Sequence, residues 1–112
     1  MPQPVSRAFH PVDGLSAAAI RQIGSAGLSC FEVGRALAAW RRTVHGPARR
    51  LIGDGCPCCD PAEQRDILAA ALSAVRGREL AALVKPLDDI YERRTLPDPH
   101  APADRPWWRR RC

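Results

Sequence analysis

"SCFEVGRALAAWRRTVHG", residues 29–46, holds a helix start, a helix face and a helix stop in one stretch. Ser29 followed by Glu32 is a capping-box pair, in which a short side-chain oxygen satisfies a backbone N–H that the first turn leaves without a partner. Val33, Leu37, Trp40 and Val44 then recur three or four places apart, which lines them along one face of a helix. Gly46 closes the pattern. A half-buried strand would need apolar and polar residues to alternate, and here they do not.

The neighbouring segments repeat that logic. In "SAAAIRQIGSAG", residues 16–27, Ser16 is the N-cap, Ile20 and Ile23 share a side, and Gly24 is read as the stop. In "DPAEQRDILAAALSAVRG", residues 60–77, Asp60 caps, Pro61 takes the first helical position, Glu63 completes the box, and Leu68, Ala71, Leu72 and Val75 form the buried stripe. "RELAALVKPLDDIYERR", residues 78–94, keeps a stripe of Leu80, Leu83, Leu87, Ile90 and Arg94 straight across Pro86, which predicts one kinked helix rather than two. No segment alternates like a strand. The expected class is all-α, a small bundle of about four helices, the last kinked at Pro86.

The organisation follows from these limits. Residues 1–13 form an irregular lead-in, residues 14–95 a helical domain with a Cys-rich loop at 53–60, and residues 96–112 an extended Pro/Arg/Trp-rich basic tail, extended unless it packs on something. A chain of 112 residues has room for about one core. No apolar window reaches the roughly 18 residues of a membrane span, and the start lacks a basic-then-apolar leader pattern, so a cytoplasmic protein is expected.

Sixteen of the seventeen basic residues are Arg, and the formal net charge is +5. Much of that charge sits at the end of the chain, where Arg93, Arg94, Arg105, Arg109, Arg110 and Arg111 face only Asp98 and Asp104. In "RPWWRRRC", Trp107 and Trp108 stand beside Arg109, Arg110 and Arg111. Aromatic faces next to guanidiniums can stack on unpaired bases and neutralise phosphates, which suits RNA. The same residue types dominate protein-protein hot spots, and two Trp can equally plug a gap in a small core. A second basic stretch, Arg35, Arg41, Arg42, Arg49 and Arg50, contains no acid between Glu32 and Asp54, whereas the segment 60–92 is rich in acids. Two readings stand: the Arg face pairs with those later acids, or it is an exposed phosphate patch.

"LIGDGCPCCDPAEQ", residues 51–64, concentrates three of the five cysteines. Cys56 and Cys59 have the C-x-x-C spacing that lets two thiolates converge on one tetrahedral zinc ion, and Cys58 offers a C-x-C alternative. Completing four-coordination requires further donors, for which Cys30, His45, His100 and Cys112 are the candidates. In a reducing compartment clustered cysteines are metal ligands or redox groups more often than disulfides. The C-P-x-C run before a helix start resembles the active-site spacing of glutaredoxins and thioredoxins over those four residues, and the helix dipole there would favour a thiolate. Those folds require a strand leading into the motif, and "RRLIGDG" is neither long nor β-branched enough to be one.

The sequence-based expectation is a non-enzymatic accessory or binding protein with a Cys-based zinc site, associated with RNA, the ribosome or the transcription machinery. A thiol-redox protein using the CPCC cluster and a metal-free protein-protein adaptor are the alternatives, and a small-molecule substrate is not expected.

Overall fold

The structure, a computed structural model, describes residues 14–51 and 60–112. Among the described residues five helices follow one another: α1 Ala17–Ser25, α2 Cys30–His45, the single turn α3 Ala48–Leu51, α4 Pro61–Ala74 and α5 Glu79–Arg94, with a 3-10 turn at Trp107–Arg109. Among the described residues the only β-type pairing outside helices is an isolated antiparallel bridge between Pro97 and Arg111. The all-α bundle expected from the sequence is what forms.

α2 is the organising element. Its inner face, Val33, Ala36, Leu37, Trp40 and Val44, is buried, and it packs chiefly on α4 and then on α5. Leu68 and Ala71 of α4 and Leu80, Val84, Leu87 and Tyr91 of α5 meet it from the other side. Burying each large aliphatic of this set contributes about 1.5–3 kcal/mol. The anticipated stripe on α5 is rotated: Leu83 and Ile90 are only half-buried, while Val84 and Tyr91 point inward.

Side-chain caps set the starts of α1, α2 and α4. The Oγ of Ser29 accepts from the Glu32 N–H at 3.2 Å, and a carboxylate oxygen of Asp60 accepts from the Ala62 N–H at 3.0 Å. Ser16 accepts from the Ala19 N–H, and both its N–H and its hydroxyl donate to Glu79, so the start of α1 is tied to the start of α5.

The stop of α1 differs from the expected one, and that of α2 agrees with it. α1 runs through Gly24 and ends in a Schellman motif, in which the Gly27 N–H donates to Gly24 O and the Leu28 N–H to Ile23 O. Gly27 takes the left-handed backbone, φ 81°, that this motif needs and that a side chain resists. Gly46 does end α2, but for lack of space: its backbone is extended, and a Cβ there would lie 2.7 Å from the Arg42 carbonyl oxygen.

α5 continues unbroken across Pro86. Proline deprives the Ala82 carbonyl of its donor, and both residues lie on the exposed side, where water can take the vacated position. At the far end, Arg94 leaves the anticipated stripe and donates to the carbonyls of Val44 and Gly46 at 2.6 and 2.8 Å, capping α2. Arg111 caps α5 the same way, donating to the carbonyls of Glu92 and Thr95, both at 2.7 Å. A guanidinium at a helix C-terminus satisfies open carbonyls and opposes the negative end of the dipole. No helix among the described residues is long and apolar enough to cross a membrane.

Candidate functional site

The tail is built into the fold. Its prolines keep it from forming any helix longer than one turn, but it packs: Leu96 and Cys112 exchange both backbone hydrogen bonds, the Asp98 N–H donates to Arg110 O, and the chain returns on itself. That return lays Trp107 and Trp108, both half-buried, against the core. Trp107 lies 6.2 Å from Tyr91, which in turn lies 4.7 Å from Trp40, so a run of aromatics reaches from the tail into the centre of the bundle.

Two neighbouring residues of α4 hold the tail in place. The Arg65 guanidinium sits 4.2 Å from the Trp108 ring centroid. It donates through Nε and one NH2 group to both oxygens of Asp88, each at 2.9 Å, while the Trp40 indole N–H donates to the same carboxylate at 3.0 Å. Arg65 is 5 % exposed, and burial of a guanidinium at that depth requires such a partner. Asp66 faces the other way, accepting from the Trp108 indole N–H at 2.7 Å and from Nε and NH2 of Arg109.

Partial burial pushes the Asp66 carboxyl upward, but the hydrogen bonds from Arg109 and Trp108, helped by the charges of Arg109 and Arg65, outweigh it and hold the group below the usual carboxylate range. The sign follows: a depressed folded value means a contribution that is whole above the unfolded pKa of about 3.9 and is lost as pH falls through the lower folded one. The melting temperature of the parent should therefore drop more steeply below about pH 4 than that of Asp66→Asn. Parallel curves for the two proteins would contradict this.

Of the five tail residues read as partner-binding, Trp107, Trp108, Arg109 and Arg111 are engaged within the molecule, and Arg110 is half-buried. Arg65 and Asp66, which hold the tail, and Asp88, which pairs with Arg65, belong to no motif in the sequence. A signal for the first existed, because Arg65 extends the Leu68–Leu72–Val75 stripe by one turn.

The other basic stretch lies open. Arg35, Arg41, Arg42 and His45 on α2, and Arg49 and Arg50 on α3, are all exposed. The ion pairs among the described residues are Arg65–Asp88, Lys85–Asp89 and Arg109–Asp66. Pairing of the α2 arginines with the acids of later helices is thus corrected by the structure: those aspartates are taken by α4, by α5 itself and by the tail. A cleft of about 330 Å³ between the first turns of α2 and α4 is floored by Leu28, Val33 and Ile67 and rimmed by Glu32, Glu63 and Asp66.

The described metal-donor candidates are dispersed. Cys30, half-buried at the start of α2, donates weakly to Ile20 O at 3.6 Å, and burial pushes its thiol up. His45 ends the same helix, roughly 22 Å away at 1.5 Å per residue, so one ion cannot take both. His100 and Cys112 are exposed in the tail. Among the described residues no group of three or more His, Cys, Asp or Glu side chains is placed to hold a metal. Cys56, Cys58 and Cys59 lie outside the described residues.

The flanks of that segment are nevertheless placed. Leu51 O accepts from the Tyr91 hydroxyl at 3.1 Å, and Asp60 caps α4. Burial pushes the Tyr91 phenol up, Arg111 opposes the rise, and Asp60 and Cys112 add to it. Comparison of the chain with protein families, curated proteins and solved structures finds no match.

Proposed function

We propose that the chain is a non-enzymatic binding protein that attaches to nucleic acid, or to a nucleic-acid-containing assembly such as the ribosome or the transcription machinery, through the cationic face of α2 and α3. The observation that carries this reading is the group Arg35, Arg41, Arg42, His45, Arg49 and Arg50, exposed together and without an acidic partner among the described residues. Arginines gathered on one face attract a phosphate backbone and gain affinity by releasing its counterions. The tail charges contribute less, because two of the three consecutive arginines are tied to Asp66, Thr95 and the end of α5.

Replacing Arg41, Arg42, Arg49 and Arg50 by Gln tests this. The log–log salt dependence of binding should flatten by about 0.7 per lost phosphate contact on a single strand and about 0.9 on a duplex. The melting temperature should hardly move, since the four side chains are exposed. A parent that binds neither form at low salt, or a variant that keeps the parent's slope, would contradict the reading.

A zinc ion held by Cys56 and Cys59 belongs to the same proposal, supported by the C-x-x-C spacing. A reducing cytoplasm is the setting in which clustered cysteines serve as metal ligands. Protein purified without a metal-binding tag should carry zinc, and Cys56→Ser and Cys59→Ser should each lower both metal content and melting temperature. Metal-free protein whose double variant melts like the parent would remove zinc from the account and leave the arginine face untouched.

A further inference from the structure

The outer side of α2 carries an exposed aromatic ring beside its arginines. Phe31 is 59 % exposed, one of two large apolar side chains left in solvent among the described residues. It belongs to the same strip as Arg35 and Arg42: the three follow at intervals of four and seven residues, which places them within about 40° of one another around the helix axis, with successive rises of roughly 6 and 10 Å. Between Arg35 and Arg42 the strip carries Ala38, so the helix surface is low there.

We infer that this strip binds an unpaired nucleic-acid strand, with one base stacked on the Phe31 ring and the flanking phosphates on Arg35 and Arg42. The inference rests on the proposed nucleic-acid attachment and narrows it to single strands. The aromatic ring decides the choice. In a duplex the base faces are covered by their neighbours and offer nothing to an exposed phenyl group, whereas an unpaired base presents a face of any sequence. Guanidiniums alone would fit either form, since both expose phosphates. The nearest carboxylate in sequence, Glu32, is turned about 100° from Phe31 and about 60° from Arg35, and it lines the cleft with Glu63 and Asp66. The strand is therefore repelled from the cleft side and attracted along the arginine side, toward Arg49 and Arg50.

Phe31→Ala and Phe31→Trp, measured against short oligouridylate, oligothymidylate and a duplex of mixed sequence, test the inference. Both variants should keep the parent's melting temperature, because the ring is largely in water. Phe31→Ala should weaken single-strand binding by about 5- to 150-fold, the equivalent of roughly 1–3 kcal/mol per stacked base, with the salt slope unchanged. Phe31→Trp should retain or tighten it, and duplex binding should not respond to either. Equal affinity for the two oligonucleotides would mean recognition of the base and phosphate alone, and preference for oligouridylate would add a contact to the 2′-hydroxyl; both support the site. Unchanged single-strand affinity in Phe31→Ala, or a parent that prefers duplex, overturns the inference while leaving the arginine face in place. A parent that binds no nucleic acid overturns both.

Discussion

Asp88→Ala is expected to cost about 3–5 kcal/mol, the range for removing one partner of a buried ion pair. Asp88 is the only carboxylate that pairs with Arg65 among the described residues, and the side chains are 15 % and 6 % exposed. Without it the guanidinium is left in the core with a charge that nothing cancels, and the Trp40 indole N–H loses its acceptor. Asp88→Asn should be milder, because an amide oxygen can still accept from Trp40. Replacing both members, Arg65→Met with Asp88→Leu, should recover most of the loss, leaving chiefly the unpaired Trp40 donor at about 1–3 kcal/mol. Thermal or denaturant unfolding of the three variants reads these differences directly. Equal, small losses in all of them would mean that the pair is hydrated and that the tail does not close over it.

Replacing Trp107 and Trp108 together by Ala carries the second large expectation, a loss of about 2–4 kcal/mol. The figure lies just below the range for a single fully buried aromatic because both rings are only half-buried. More than apolar area is lost. Arg65 loses the ring 4.2 Å away, and Asp66 loses the indole donor. A cation over a desolvated ring contributes about 2 kcal/mol by itself. Arg110→Gln, which leaves the rings and both aspartates in place, should change stability by less than about 0.5 kcal/mol. A double Trp variant that melts like the parent would show that the tail is not part of the folded unit.

What could be read in the sequence was whatever a single helix decides for itself. The capping residues Ser16, Ser29 and Asp60 and the inner face of α2 are local properties, fixed by 3.6-residue periodicity and by the open N–H groups of a first turn, and they appear as expected. What could not be read was set by other elements. Val84 and Tyr91, rather than Leu83 and Ile90, turn inward on α5 because Tyr91 reaches the Leu51 carbonyl and packs on Trp40. Gly24 and Gly27 are both plausible helix stops, and only the backbone geometry chooses between them. The tail, without periodicity, gives no sign of folding until Arg65 and Asp66 are seen side by side at the surface it covers. The candidate site is set the same way: Asp66 and Asp88 are committed to Arg109 and Arg65, and the arginines of α2 and α3 form no ion pair among the described residues.

Chemical-shift mapping on the isotope-labelled protein, titrated with a short oligouridylate at low salt, locates the binding surface in one experiment. Perturbations concentrated on the backbone amides of residues 31–50, with the indole N–H signals of Trp107 and Trp108 unmoved in their contacts with the bundle, are the expected result. Perturbations centred on those two indoles and on Arg109 to Arg111, with the α2 amides unmoved, would contradict it and return the tail to the role of a nucleic-acid ligand.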